Sequence, residues 1–562
     1  MKKLLIFCLV GITVMTTITG CKKYLDVNSD PDTPQFPDVS SAFPAQLAAI
    51  PRGLQFDGRF AGRYIQNWLS SSTANAANVN FDRMGFTAAN DANGDIWRQA
   101  YYGLGSNLDY IINEGIKKQQ WDYVGAGYCL KAMMFQYATD YHGEIIFSEA
   151  FRDQASFKFD EQPLVYRGVD SLCKLALQYL GRTDNNASAL KLAKGDYVYN
   201  GSVAKWIKFT NGILARNFHR ITNKSNYNAD SVIFYCNRSL ADNTDDFLIP
   251  FDATRPDDAN FFGTFRDIIN VLRQSNFIVK LLDGTTITDS VATSARAFNR
   301  DPRMKHMLVA SQDTTNGNGG FRGVDPGVGD PFIGLTATYA PGSTNFINAR
   351  RRVAVPWADS TYGNPSFAVF SSQFKKYLFG DKNVFPVMTA SEIQFMKAEA
   401  AYRKGDKATA LTAYTAGINS HFDFINRPSF PRGNAQLFST NTITSAERTA
   451  YLNGNNVKRT EASLFLSDIM LQKYIALWGW GFFETFVDMR RYHYTDLDPV
   501  SGTQVYKGFT IPLPLAVENL GKPVYRVRPR FNSEYVWNRP ELLRIGALNG
   551  DYHTYEPWFS QP

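Results

Sequence analysis

Histidines, carboxylates and thiols at the right spacing would mark a catalytic or metal-binding set. The six histidines, at positions 142, 219, 306, 421, 493 and 553, form no His-x-x-x-His pair and no metal cluster. The chain contains no Gly-x-Ser-x-Gly elbow, Walker loop or Gly-x-Gly-x-x-Gly fingerprint. Asp91-Ala92-Asn93-Gly94-Asp95 is an acidic run of the calcium-loop kind. However, Ile96 stands where the sharp-turn glycine belongs and Tyr102 where the bidentate glutamate belongs. A glycosidase needs two carboxyl groups across a cleft, a geometry that a sequence does not display. Cys129, Cys173 and Cys236 sit in helix-like patterns as small hydrophobes, and their spacing fits neither a disulfide framework nor a metal knuckle. Trp478 and Trp480 read as core residues, and Asp488, Arg490 and Arg491 as an ion network tying helices together. No catalytic residue, cofactor or metal is expected.

Five cysteines, 42 Phe, 29 Tyr and 9 Trp among 562 residues, with 20% charged residues, describe a globular chain with aromatic material to spare. A formal net charge of +7 is mild for this size and not gathered into a stripe, so nucleic acid is not an expected partner. Met1-Lys2-Lys3 followed by an apolar run to about Met15 is a leader too short to span a bilayer. Ile18-Thr19-Gly20-Cys21 resembles the bacterial lipobox. By that resemblance residues 1–20 form a lipoprotein signal peptide, and Cys21 becomes an acylated N-terminus held on a membrane.

The elements that would position any site are helices. Thr389 with Glu392 reads as a capping box. Ile393, Met396 and Ala400 form a stripe, Gly405 stops the helix, and Asp406 caps a second helix carrying Leu411, Tyr414 and Ile418. Such a hairpin resembles a tetratricopeptide repeat and needs further helix pairs stacked on it. Helical periodicity recurs at 97–118, 123–141, 165–180, 203–221, 229–240, 460–477 and 482–492. A first helix at 43–61 is expected to break near Pro51, and 64–86 reads as a loop. Residues 247–384, rich in Gly and aromatics, read as long ordered loops with a short hairpin, and the tail from Thr510 as extended. The expected fold is mainly α: tetratricopeptide-like hairpins in one body, with long irregular loops and little strand. Residues 21–562 would form that single domain.

Five places together resemble the SusD/RagB family of nutrient-binding outer-membrane lipoproteins. They are Cys21-Lys-Lys-Tyr-Leu-Asp-Val-Asn28, Tyr141-His-Gly-Glu-Ile-Ile-Phe-Ser-Glu-Ala-Phe151, the 389–418 hairpin, Gln472 to Gly479 running on to Arg491, and Arg530-Phe-Asn-Ser-Glu534 with Asn538. Ile146 departs from the proline usual in the family's turn, and Asn532 from a common Tyr-Pro pair. Lys22 and Lys23 lack the acidic residues often linked to surface export.

The resemblance implies a non-enzymatic protein, lipid-anchored in the outer membrane and facing the cell surface. It would capture an oligosaccharide and pass it to a SusC-like TonB-dependent transporter. Peptide capture by the same fold, or a surface-anchored hydrolase, are the alternatives. For a glycan, aromatic faces in loop-like segments are the expected ligand contacts: Trp68, Phe81, Trp97, Trp357 and Tyr362. The same rings are also of the kind that pins a loop to a core.

Overall fold

The computed structural model describes residues 37–562 apart from 87–91, 185–188, 290–299, 314–319, 336–338, 358–376, 428–441 and 530. Asp38 caps helix α1 (Val39–Tyr64), its carboxylate accepting the Ser40 amide at 3.0 Å. Pro44 and Pro51 both lie inside α1, so the break expected at Pro51 does not occur and the helix runs through. Its apolar face, with Phe43, Leu47, Ile50 and Leu54, is buried.

The stretch expected as a loop after α1 instead supplies strand β1 (Trp68–Ser70) and helix α2 (Ala76–Asp82), capped by Asn75. A short helix, Asp95–Arg98, runs into a π-turn, Gln99–Gly103, and then into α3 (Gly105–Lys117). Next come α4 (Trp121–His142), α5 (Gln162–Leu180), α6 (Val203–His219) and α7 (Ala229–Cys236). Strand β2 (Phe247–Phe251) opens the glycine-rich insert, which holds β3 (Leu272–Gln274) and α8 (Asn276–Leu282). β4 (Asn383–Met388) closes it. The hairpin follows as α9 (Ala390–Lys404) and α10 (Lys407–Ile425). After it come α11 (Ser445–Leu452), α12 (Leu466–Leu477) and α13 (Phe482–Arg491). The tail adds α14 (Phe531–Trp537) and α15 (Arg539–Arg544) where extended chain was expected.

Helix packing follows chain order. α3 packs on α4, α4 on α5, α5 on α6, α6 on α7, α7 on α9, and α9 on both α10 and α12. This is the stacking that amphipathic hairpins require to bury both faces. Gly405 takes φ +89° with nothing within 4 Å of an added Cβ, so its role is conformational: it ends α9 in the left-handed region. Asp406 then accepts the Thr409 amide at 3.0 Å and starts α10. Among the described residues the sheets are two antiparallel pairs, β1 with β3 and β2 with β4. The β2–β4 pair joins the two ends of the insert, and β1–β3 fastens the insert to the end of α1. One cluster of buried apolar side chains extends from Val39 to Tyr552.

A line of buried ions crosses this cluster. Thr389 Oγ1 accepts the Glu392 amide at 3.3 Å, but the Glu392 carboxylate does not return to the cap. It receives Arg216 Nε and Nη2, each at 2.7 Å, because a buried guanidinium outcompetes a backbone amide. Glu484 receives Arg220 at 2.7 Å, and although burial opposes its charge, Arg216 and Arg220 hold its carboxyl down at about 2. Arg491 bridges Glu399 and Asp488 at 2.7 and 2.6 Å, and Lys473 reaches Asp488 at 2.7 Å. The expected network therefore exists, with one correction. Arg490 meets no carboxylate among the described residues, and donates instead to the carbonyls of Phe486 and Tyr525 at 2.9 and 2.8 Å. Burial lowers its guanidinium to about 10. The three cysteines are free and buried.

Candidate functional site

Three of the five expected aromatic contacts face inward. Trp68 is fully buried against Phe262 and Phe482, its indole N–H donating to the Arg59 carbonyl at 3.3 Å. Phe81 packs among Phe60, Tyr64 and Phe86. Trp357 is also buried in the main cluster. These positions correct the expectation of rings standing on open loops. Each ring removes a large apolar area from water, and a segment carrying one folds back to bury it. Tyr362 and Cys21 lie outside the described residues.

Trp97 is different. It is only 3% exposed, yet it forms the floor of a surface cleft of about 370 Å³ walled by Tyr101, Tyr102, Phe151, Phe157 and Glu534. Its ring lies 5.0 Å from Tyr101 and 5.2 Å from His142, centroid to centroid. Tyr102, 72% exposed, stands at the mouth with the Arg98 guanidinium 5.7 Å from its ring. The volume and the aromatic lining are those of a small-ligand site.

Two irregularities of the backbone shape the walls. The π-turn Gln99–Gly103 inserts into the helix directly after Trp97 and turns Tyr101 and Tyr102 toward the cleft, the setting in which π-bulges commonly recur at functional sites. Tyr101 is fixed there by a 2.8 Å bond from its hydroxyl to the Ile146 carbonyl. Phe151 holds φ +66°, rare for a bulky residue. A Cβ on Gly105 would lie 2.3 Å from the Phe151 ring, so glycine at 105 admits that ring.

The tail completes the cleft. Asn538 accepts the Phe157 amide at 3.1 Å and donates to the Phe157 carbonyl at 2.8 Å, while giving a 3.0 Å bond to Glu534 Oε2. Burial raises the Glu534 carboxyl above its ordinary range, and Asn538, Ser533 and Trp97 act in the opposite direction by favouring the charged form. Below the cleft, His142 Nδ1 donates to the Val527 carbonyl at 3.0 Å, and burial pushes its imidazole down to about 4. Of these residues, sequence reasoning named Trp97 alone as a ligand contact. The signal for the rest was present but scattered: Tyr101-Tyr102 follow Trp97, and Phe151, Glu534 and Asn538 belong to the family-like stretches.

Two further depressions of about 330 and 560 Å³ share Asn455, the larger one mainly polar. Their walls carry neutralised pairs, Lys305 with Glu447 at 2.5 Å and Lys507 with Asp289 at 2.6 Å. Among the described residues no group of three or more His, Cys, Asp or Glu is placed to hold a metal.

The helical-repeat body thus carries an aromatic cleft of the size and lining that take a small ligand. Residues 46–512 match the SusD-like_2 family model, described as "Starch-binding associating with outer membrane", and the chain belongs to that family. Solved structures agree on the fold. A Bacteroidetes SusD-like protein is 18% identical with TM-score 0.66, covering 94% of this chain and 100% of its own. A SusD/RagB family protein from Bacteroides thetaiotaomicron is 21% identical with TM-score 0.62, covering 92% and 98%. A chitin-binding SusD homologue from Flavobacterium johnsoniae is 20% identical with TM-score 0.61, covering 93% and 98%. No curated protein matches the chain. No helix among the described residues is long and apolar enough to cross a membrane.

Proposed function

We propose that this protein captures an oligosaccharide at the outer membrane, without altering it, and delivers it to a partner TonB-dependent transporter. Residues 1–20 are removed as a leader, Cys21 carries the lipid anchor, and residues 21–562 act as one binding unit at the cell surface. The observation that carries the reading is the Trp97 cleft, an aromatic-walled site on a body whose family is described as starch-binding. Rings of this kind cover the apolar faces of sugars, while a few polar groups fix the hydroxyls. Two similar structures, at 18% and 20% identity, are of chitin-binding proteins, which supports a glycan ligand without naming it.

Calorimetry of purified residues 21–562 against a panel of oligosaccharides and peptides tests the reading. Saturable binding of a glycan, recovered chemically intact, is the expected result. Peptide binding without glycan binding replaces the ligand class, and hydrolysis of any ligand by the pure chain overturns the non-catalytic role.

A further inference from the structure

The chemistry of the cleft points beyond a neutral sugar. Glu534 is 7% exposed and lines the cleft, yet no Lys, Arg or His among the described residues forms an ion pair with it within 4.0 Å. Among the described residues the nearby cations have partners of their own, and two of them rest on rings of the cleft, Arg98 on Tyr102 and Lys131, itself paired with Asp109, on Phe151. Arg152 reaches Glu149 at 4.0 Å, and Arg544 pairs with Glu541 at 2.8 Å. Asn538 gives Glu534 Oε2 a 3.0 Å bond. Asn538 is the donor that meets this carboxyl group and burial opposes its charge, so a cation brought into the cleft would stabilise the ionised form. Buried carboxylates are ordinarily paired, because an isolated charge loses its hydration.

The rest of the lining supplies what a cation would need. Trp97, Tyr101, Tyr102, Phe151 and Phe157 all border the same cavity; Tyr102 and Phe151 already hold Arg98 and Lys131 near one face, and aromatic faces of this kind attract an ammonium through their quadrupoles. An aromatic enclosure with a carboxylate that no cation among the described residues pairs within 4.0 Å is the chemistry that recognises organic ammonium groups. A hexose bearing only hydroxyls would find few polar partners on these walls.

We propose that the cleft binds an organic ammonium group, held between the aromatic rings and the Glu534 carboxylate, and that in the captured nutrient this group is the free amine of an amino sugar. The amino-sugar part rests on the glycan-capture reading; the ammonium site itself does not.

Calorimetry of purified residues 21–562 separates the two, using a glucosamine tetramer, its N-acetylated counterpart, a glucose tetramer and tetramethylammonium as probes. The free-amine tetramer is expected to bind about tenfold or more tightly than either neutral tetramer. Glu534→Gln should abolish that preference, with thermal unfolding followed in parallel. Equal affinity for all three tetramers, unchanged by Glu534→Gln, overturns the inference and leaves glycan capture standing. Binding of tetramethylammonium that Glu534→Gln removes, with no tetramer bound, upholds the ammonium site and overturns its assignment to an amino sugar. No binding by any probe overturns the inference. If Glu534→Gln does not fold, Tyr102→Ala decides, since its ring is at the mouth and largely in water: a preserved preference for the amine then sinks the proposal.

Discussion

Replacing Arg216 by methionine tests whether the buried ions, more than the caps, lock the hairpin to the rest of the body. Arg216 is fully buried and donates two 2.7 Å bonds to Glu392, one of 2.9 Å to the Tyr137 hydroxyl and one of 2.8 Å to the Val387 carbonyl. Glu484 lies 3.4 Å from the same guanidinium but keeps Arg220 at 2.7 Å. Arg216→Met therefore strands Glu392 without the cation that binds both its oxygens. Breaking such a buried pair from one side costs about 3–5 kcal/mol. The double variant Arg216→Met, Glu392→Leu removes both charges and fills similar volume. It leaves Tyr137 and Val387 short of a donor, at about 1 kcal/mol each, and Glu484 with Arg220 as its remaining arginine. Its stability should thus lie between the wild type and the single variant. Urea unfolding followed by circular dichroism reads the difference from the midpoints at constant slope. A single variant costing less than about 1 kcal/mol, or a double variant no better than the single, would refute the reasoning.

Further outcomes follow from the same structure. Burial depresses the imidazoles of His142, His219 and His553 to about 4 from an ordinary 6.5. The unfolded chain therefore binds more protons between those values, and each histidine withdraws up to about 3 kcal/mol as pH falls from 6.5 to 4. Asp82 and Asp246, raised by burial to about 6 and about 7, contribute the opposite slope. His142→Gln should flatten the stability–pH curve in that window by one proton, and an unchanged curve contradicts the assignment. Gly405→Ala should cost about 1–2 kcal/mol in urea unfolding through its left-handed backbone alone, since no atom lies within 4 Å of the new Cβ. Trp357→Ala, at a buried ring, should lower stability by about 3–5 kcal/mol; a stable variant with weakened ligand binding would return Trp357 to the ligand surface. Cys21→Ala should leave an uncut precursor in the soluble fraction, and membrane retention after that change contradicts lipid anchoring.

The α9–α10 hairpin was legible in the sequence because each of its signals acts within a few residues. Thr389 and Asp406 satisfy amides three positions on, and Gly405 takes a backbone angle that other residues resist. The family likeness came from short stretches kept in order along the chain, and needed no contact between them. The strand at Trp68–Ser70 was not legible, because three residues have no periodicity and their partners lie in the insert, at Leu272–Gln274. Burial of Trp68, Phe81 and Trp357 depends in the same way on what the rest of the chain places over them.

The sequence by itself determined a helical-repeat body and its family, since periodicity, caps and motifs are local properties of the chain. Only the tertiary structure decided which aromatic rings meet solvent, where the Glu392 carboxylate goes, and that Glu534 from the tail faces Trp97 and Tyr102 from near the start. Exposure and charge pairing are set by neighbours distant in sequence, and those neighbours exist only once the helices have packed.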